Sequence, residues 1–162
     1  MNKNGYLALK SFFLRHPKLL TAAGITQKAA ELLVYATYPA FLLYLVITRD
    51  LFFVRSAVVC GAGFLAITFL RIRLNAKRPY EVFGEEPLIK KETSGRSFPS
   101  RHAFSAAVIS VSVWAVFPLF GWILFGIALV IATLRVFLGV HFIKDVLFGL
   151  LCGVAVGSVV LL

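Results

Sequence analysis

The chain has 162 residues, 60% of them hydrophobic, with a mean hydropathy of +0.90, and carries 17 Lys/Arg against 7 Asp/Glu for a net charge of +10. This is too apolar for a soluble domain of that length. The basic residues fall between apolar stretches and not over one soluble face, which argues against nucleic acid and for anionic headgroups or phosphorylated substrates.

In chain order, residues 6–14 form a short apolar run set among basic residues, with Lys10 inside it and Arg15, His16, Pro17 and Lys18 behind it. It is too short to span and is not a cleavable signal peptide. It reads as an amphipathic helix lying in the membrane interface, and residues 1–28 are grouped as an N-terminal interfacial segment. Four stretches then reach the roughly 20 apolar residues that a spanning helix needs: 29–48, 51–70, 121–138 and 143–162. A fifth, 103–119, is slightly shorter. The expected fold is all-α, a transmembrane bundle of about five spans plus the interfacial helix.

The first two spans make a hairpin at Arg49-Asp50, with Arg55 near enough to that end to snorkel. Residues 71–101 are the one long polar loop, whose glycines and prolines argue against regular structure through much of it. The next hairpin is expected at 117–121, flanked by Trp114 and Trp122 as an aromatic belt, and Gly139 breaks the last one. Cys60 and Cys152 lie in apolar segments as small hydrophobes, with neither a disulfide framework nor a metal spacing. Gly149, Gly153 and Gly157 form a small-xxx-small face, read as packing inside the monomer, with a homodimer as the alternative.

Counting crossings brings three polar pieces to one membrane face: Arg71-x6-Arg78-Pro79, Pro99-Ser100-Arg101-His102 and Arg135-x5-His141-x3-Asp145. His141 and Asp145 are four apart, so on a helix the carboxylate can orient the imidazole and raise its nucleophilicity. Arg135 would point away from His141 on an unbroken helix, and a bend at Gly139 removes that objection. Residues 97–102 precede an apolar helix whose first N–H groups can hold a phosphate, with Ser100 adding a hydroxyl, Arg101 a charge and His102 a proton for the leaving oxygen. Arg71 and Arg78 supply permanent bidentate donors. Several guanidinium groups can do the electrostatic work of phosphoryl transfer, so the site is expected to need neither metal nor other cofactor. Lys3, Lys18, Lys28, Arg49 and Arg55 read as interfacial anchors, His16 as structural, and Glu31 as an interfacial carboxylate in preference to a proton relay.

Together the three pieces resemble the signature of the type 2 phosphatidic acid phosphatase (PAP2) superfamily: Lys-x6-Arg-Pro, Pro-Ser-Gly-His, then Ser-Arg-x5-His-x3-Asp. The resemblance covers about residues 71–145 and the hydrophobic layout around them, with 29–162 as the catalytic domain. It implies a membrane lipid phosphatase acting on a lipid phosphate or polyprenyl (di)phosphate, such as phosphatidic acid or undecaprenyl diphosphate. His141 would be the nucleophile that forms a phosphohistidine, Asp145 its partner and His102 the general acid, with Arg71, Arg78, Ser100 and Arg135 as phosphate ligands. Arg101 stands where the family has glycine and would narrow the pocket or add a ligand for a diphosphate. Arg71 replaces lysine, and Leu134 replaces serine.

The alternatives are a phosphotransferase and a catalytically silent lipid-binding member. A vanadate-dependent haloperoxidase is disfavoured, because the chain lacks a soluble helical shell. The cell membrane is the expected location. The family's six-span members place the site outside the cytoplasm, whereas here 15 of the 17 Lys/Arg share the motif face, which favours a cytoplasmic site.

Overall fold

Seven helices make up the structure, a computed structural model that describes residues 1–89 and 94–162. Lys90 and Lys91, which enter the charge count of the motif face, lie outside the described residues. There is no strand among the described residues.

Helix α1 (Lys3–Arg15) starts at Asn2, whose side chain accepts from the Gly5 N–H at 2.9 Å. It stops where Pro17 opens α2 (Pro17–Ile47), since proline suits a first helical turn and removes the donor that would continue α1. Tyr6 of α1 packs on Phe83 and Lys10 pairs with Glu85 at 2.9 Å, so α1 lies against the motif end of the bundle. Residues 17–28, grouped with the N-terminal segment on sequence grounds, are continuous with the first span: α2 has 31 residues, about 46 Å of helix at 1.5 Å per residue.

The remaining elements are α3 (Phe52–Leu74), α4 (Pro79–Phe83), α5 (Arg101–Trp114), α6 (Pro118–Phe137) and α7 (Ile143–Val159). The loop expected at 71–101 thus contains the last turn of α3 and the short α4. Among the described residues, α2, α3 and α6 are long and apolar enough to cross a membrane. Helices α5 and α7, with 14 and 17 residues, are shorter than the spans expected there. The second hairpin turns earlier than expected, at 115–117. Pro118 is the first residue of α6, and Gly121 lies inside that helix, where its missing side chain lets the helix sit on Trp114.

Helix α5 is the axis of the bundle. Its Ala103, Phe104, Ala106, Ala107, Val108 and Val113 are buried, and it packs against α6, α7, α3 and α2. The outer helices show the reverse pattern, with Leu32, Leu43, Ile47, Val58, Leu65, Phe69, Leu119, Trp122 and Leu151 exposed. In water this would be an apolar surface far beyond what a soluble monomer displays, so lipid is the solvent of this face. Arg55 Nη1 lies 3.4 Å from the Val160 carbonyl at the end of α7, where a cation complements the helix dipole.

The glycine stripe of α7 faces α5 inside the same chain. A Cβ at Gly153 would come within 2.5 Å of the Phe104 carbonyl oxygen and 2.7 Å of the Ala107 Cβ. Gly153→Val is therefore expected to destabilise the fold by about 1–3 kcal/mol through overpacking. Thermal unfolding in detergent measures this, and an unchanged Tm would mean that α5 and α7 are not held this closely.

Candidate active site

The motif pieces converge through buried guanidinium groups that hold the loops in place. Arg71, in the last turns of α3, donates from Nη1 to the Pro99 carbonyl at 3.1 Å and from Nη2 to the Arg96 carbonyl. Arg78 donates from Nε to the Gly95 carbonyl at 3.0 Å and from Nη1 to the Val140 carbonyl at 3.2 Å, joining the first motif to both others. Each fork keeps further N–H donors beyond those tied to the loops. Glu81 fixes the start of α4 by accepting from the N–H groups of Arg78 and Gly95, both at 2.7 Å.

His141 is 1% exposed and lies between α6 and α7, so the expected helical pairing with Asp145 is not made along one helix. Asp145 sits in the first turn of α7 and its Oδ2 caps that turn by accepting from the Phe142 N–H at 3.0 Å. The same oxygen lies 3.5 Å from His141 Nδ1. The i, i+4 spacing still joins the two side chains, across the helix start. Gly139 makes the bend with φ of +67°, and the N–H groups of Val140 and His141 both return to the Arg135 carbonyl at 3.2 Å. A side chain at Gly139 would meet the Tyr6 ring. The expected bend is there, and it brings Arg135 and His141 to one end of the bundle.

Ser97 was not singled out by sequence. Its Oγ donates to Asp145 Oδ2 at 2.5 Å and lies 3.3 Å from His141 Nδ1, with the residue fully buried. The only signal was a second hydroxyl in the polar segment before Ser100. Removing it in Ser97→Ala strips a charge-assisted bond, worth about 1.5–3 kcal/mol, from the group that orients His141. Turnover is expected to fall roughly 10- to 100-fold, measured as kcat for phosphate release; an unchanged kcat would place Ser97 in the scaffold alone.

Ser100, the N-cap of α5, is fully buried, and its N–H donates to the Asp145 carbonyl at 2.9 Å. Its Oγ and the Nε of Arg135 have no hydrogen-bond partner, although Arg135 is only 1% exposed. Unused buried donors at the start of α5 and in the last turn of α6 are what an oxyanion would satisfy. Arg101 stacks over Phe64, its guanidinium carbon 5.4 Å from the ring centroid. Arg101 and His102 line a cleft of about 510 Å³ between α2, α3 and α5, whose other walls include Tyr35, Tyr38, Leu42, Phe64 and Ile109.

Glu31 has partners that the sequence reading did not include: Oε1 lies 3.3 Å from Arg135 Nη2 and Oε2 lies 3.7 Å from His102 Nε2. Gln27 Nε2, one turn earlier on α2, donates to Oε1 at 2.9 Å. A charged residue near a span end carries the same sequence signal whether it meets headgroups or partners from other helices, so spacing offered no way to find it. Among the described residues, no three His, Cys, Asp or Glu side chains are placed to share a metal ion.

Burial of the ring pushes the His141 imidazole down from 6.5 to about 4, against the contact with Asp145 and with help from Arg135 and Arg78. The ring is therefore neutral, with a lone pair to offer, at any pH well above about 4. An NMR titration of His141 in detergent should show its midpoint near that value, and a midpoint at 6 or higher would contradict the buried placement.

A scan of protein families matches the PAP2 superfamily over residues 52–162. Among solved structures, the chain is similar to LpxE of Aquifex aeolicus, at 26% identity and a TM-score of 0.73, over 94% of this chain and 93% of that one. It is also similar to the first transmembrane PAP2 type phosphatidylglycerolphosphate phosphatase from Bacillus subtilis, at 25% identity and a TM-score of 0.57, over 96% and 93% of the two chains. A search of curated proteins finds no match. With more than half of its length matched, and with the three motif pieces gathered at one end of an apolar helical bundle, this chain belongs to the PAP2 superfamily as a membrane protein.

Proposed function

We propose that the chain is a lipid phosphatase that removes the terminal phosphate of a lipid phosphate or polyprenyl (di)phosphate through a phosphohistidine. The observation that carries this reading is the setting of His141: buried and neutral, its Nδ1 turned to Ser97 and Asp145, which leaves Nε2 to attack. Around it, Arg71, Arg78, Ser100 and Arg135 bring donors to the oxygens of the phosphate, and Arg101 adds charge at the mouth of the apolar cleft.

In the first step the Nε2 lone pair forms a bond to phosphorus while the bond from phosphorus to the lipid oxygen breaks. His102 gives its proton to that oxygen, and the lipid alcohol, or the lipid monophosphate where the substrate is a diphosphate, leaves along the cleft that His102 lines. Asp145 stabilises the charge that develops on the ring. In the second step a water loses its proton to His102 and attacks phosphorus, the N–P bond breaks, and phosphate and neutral His141 are regenerated. The similarity to a phosphatidylglycerolphosphate phosphatase from Bacillus subtilis supports a phosphatase reading.

The test is phosphate release by purified protein from a panel of lipid monophosphates and polyprenyl diphosphates, with and without EDTA. Release unaffected by EDTA is expected, and loss in EDTA would sink the metal-free mechanism. Transfer to an added alcohol in preference to water would redirect the reading to a phosphotransferase. No release from any member of the panel would leave a lipid-binding role.

A further inference from the structure

Every fixed charge of the three motifs that comes near the phosphate site is positive, apart from Asp145, which is committed to His141, Ser97 and the start of α7. His102 shares that positive field. Arg101 precedes it on α5, Arg135 approaches from α6 and Arg71 from α3, while α2 contributes Tyr35, its ring 6.4 Å from the imidazole. Such surroundings favour the neutral ring, which has no proton to spare for a leaving oxygen. Among the described residues, an opposing charge comes from α2. Glu31 faces His102 Nε2 with one oxygen and Arg135 Nη2 with the other, and Gln27 fixes the carboxylate by its own hydrogen bond. Glu31 lies outside residues 52–162, and none of the three motifs includes it.

We propose that Glu31 is a positioning residue for the reaction: it keeps His102 in the protonated form and anchors the guanidinium of Arg135 beside it. The proposal rests on the phosphatase reading above, with His102 as the acid. At 3.7 Å the Glu31–His102 contact is an ion-pair distance and longer than a hydrogen bond. The carboxylate therefore acts on the ring through its charge. Gln27 matters because the carboxylate has Arg135 on one side and the histidine on the other. Held at Oε1, it keeps Oε2 towards the histidine.

The variant Glu31→Gln keeps the shape and removes the charge. It is tested on two substrates, an alkyl lipid phosphate, whose leaving alkoxide needs a proton, and p-nitrophenyl phosphate, whose leaving group does not. On the alkyl substrate kcat is expected to fall roughly 10- to 100-fold, while the aryl substrate loses no more than about threefold. The basic limb of kcat/KM, which reports the free enzyme, is expected to move down by about one pH unit. Glu31→Asp, which keeps the charge but draws it back, should recover most of the alkyl activity and a part of the shift. If Glu31→Gln is not recovered folded, as judged by thermal unfolding, the limb shift in Glu31→Asp carries the test.

Equal losses on the two substrates, or an unmoved basic limb, would overturn the proposal and leave Glu31 a ligand of Arg135 alone. A native chain that hydrolyses neither substrate, or a His141→Ala variant that keeps full activity, would overturn the phosphatase reading and this inference with it. Failure of the inference alone leaves the native chain and His141→Ala behaving as a phosphohistidine enzyme and its knockout.

Discussion

Replacing His141 by alanine is expected to lower phosphate release by on the order of 10^4-fold or more, because the group proposed to bond to phosphorus is gone. The cavity left by a 1%-exposed ring can be refilled by water or added imidazole, so partial rescue by imidazole would identify the missing function as nucleophilic. His141→Gln is the companion variant, since it keeps polar contact with Ser97 and Asp145 while losing the nucleophile. Native protein quenched with denaturant at alkaline pH should carry phosphate on His141, seen by mass spectrometry at neutral to alkaline pH. Retention of more than a tenth of the native rate in both variants would sink the phosphohistidine mechanism.

Arg135→Ala should be the next most damaging change, lowering kcat/KM by roughly 10^2- to 10^3-fold, the usual cost of losing one donor to a developing oxyanion. Its guanidinium is almost wholly buried, holds an unused Nε donor, and pairs with Glu31. Truncation therefore removes a proposed phosphate ligand and also leaves the Glu31 carboxylate without its counter-charge. Arg135→Lys restores the charge but not the planar fork, and recovery is expected to be small. Full activity of the lysine variant would show that charge alone is needed there. An intact Tm alongside the loss would separate the ligand role from stability.

Much of the architecture is legible in the residue order because membrane solvation is a strong local constraint. Apolar stretches of spanning length, Pro17 and Pro118 at helix starts and Gly139 at a bend follow from backbone geometry and transfer free energy, which operate within one segment. The extents of α5 and α7 did not. A helix enclosed by four neighbours reads the same as one facing lipid when both sides are apolar, so burial, and with it the 14-residue length of α5, was hidden. The motif spacing put His141, Asp145, His102 and the arginines at one membrane face. It could not give the backbone carbonyls that Arg71 and Arg78 hold, because those partners lie 17 to 62 residues away in sequence.

What the sequence by itself determined is the class of protein, the three motif pieces and their common face, since each depends on composition or on spacing within a segment. Only the tertiary structure decided that Ser97 completes the His141–Asp145 pair, that the glycine stripe binds α7 to α5, and that Glu31 stands between His102 and Arg135. These are contacts between elements distant in the chain. The free energy of burying a charge is met there by whichever partner the packing brings near, and no local pattern records that partner.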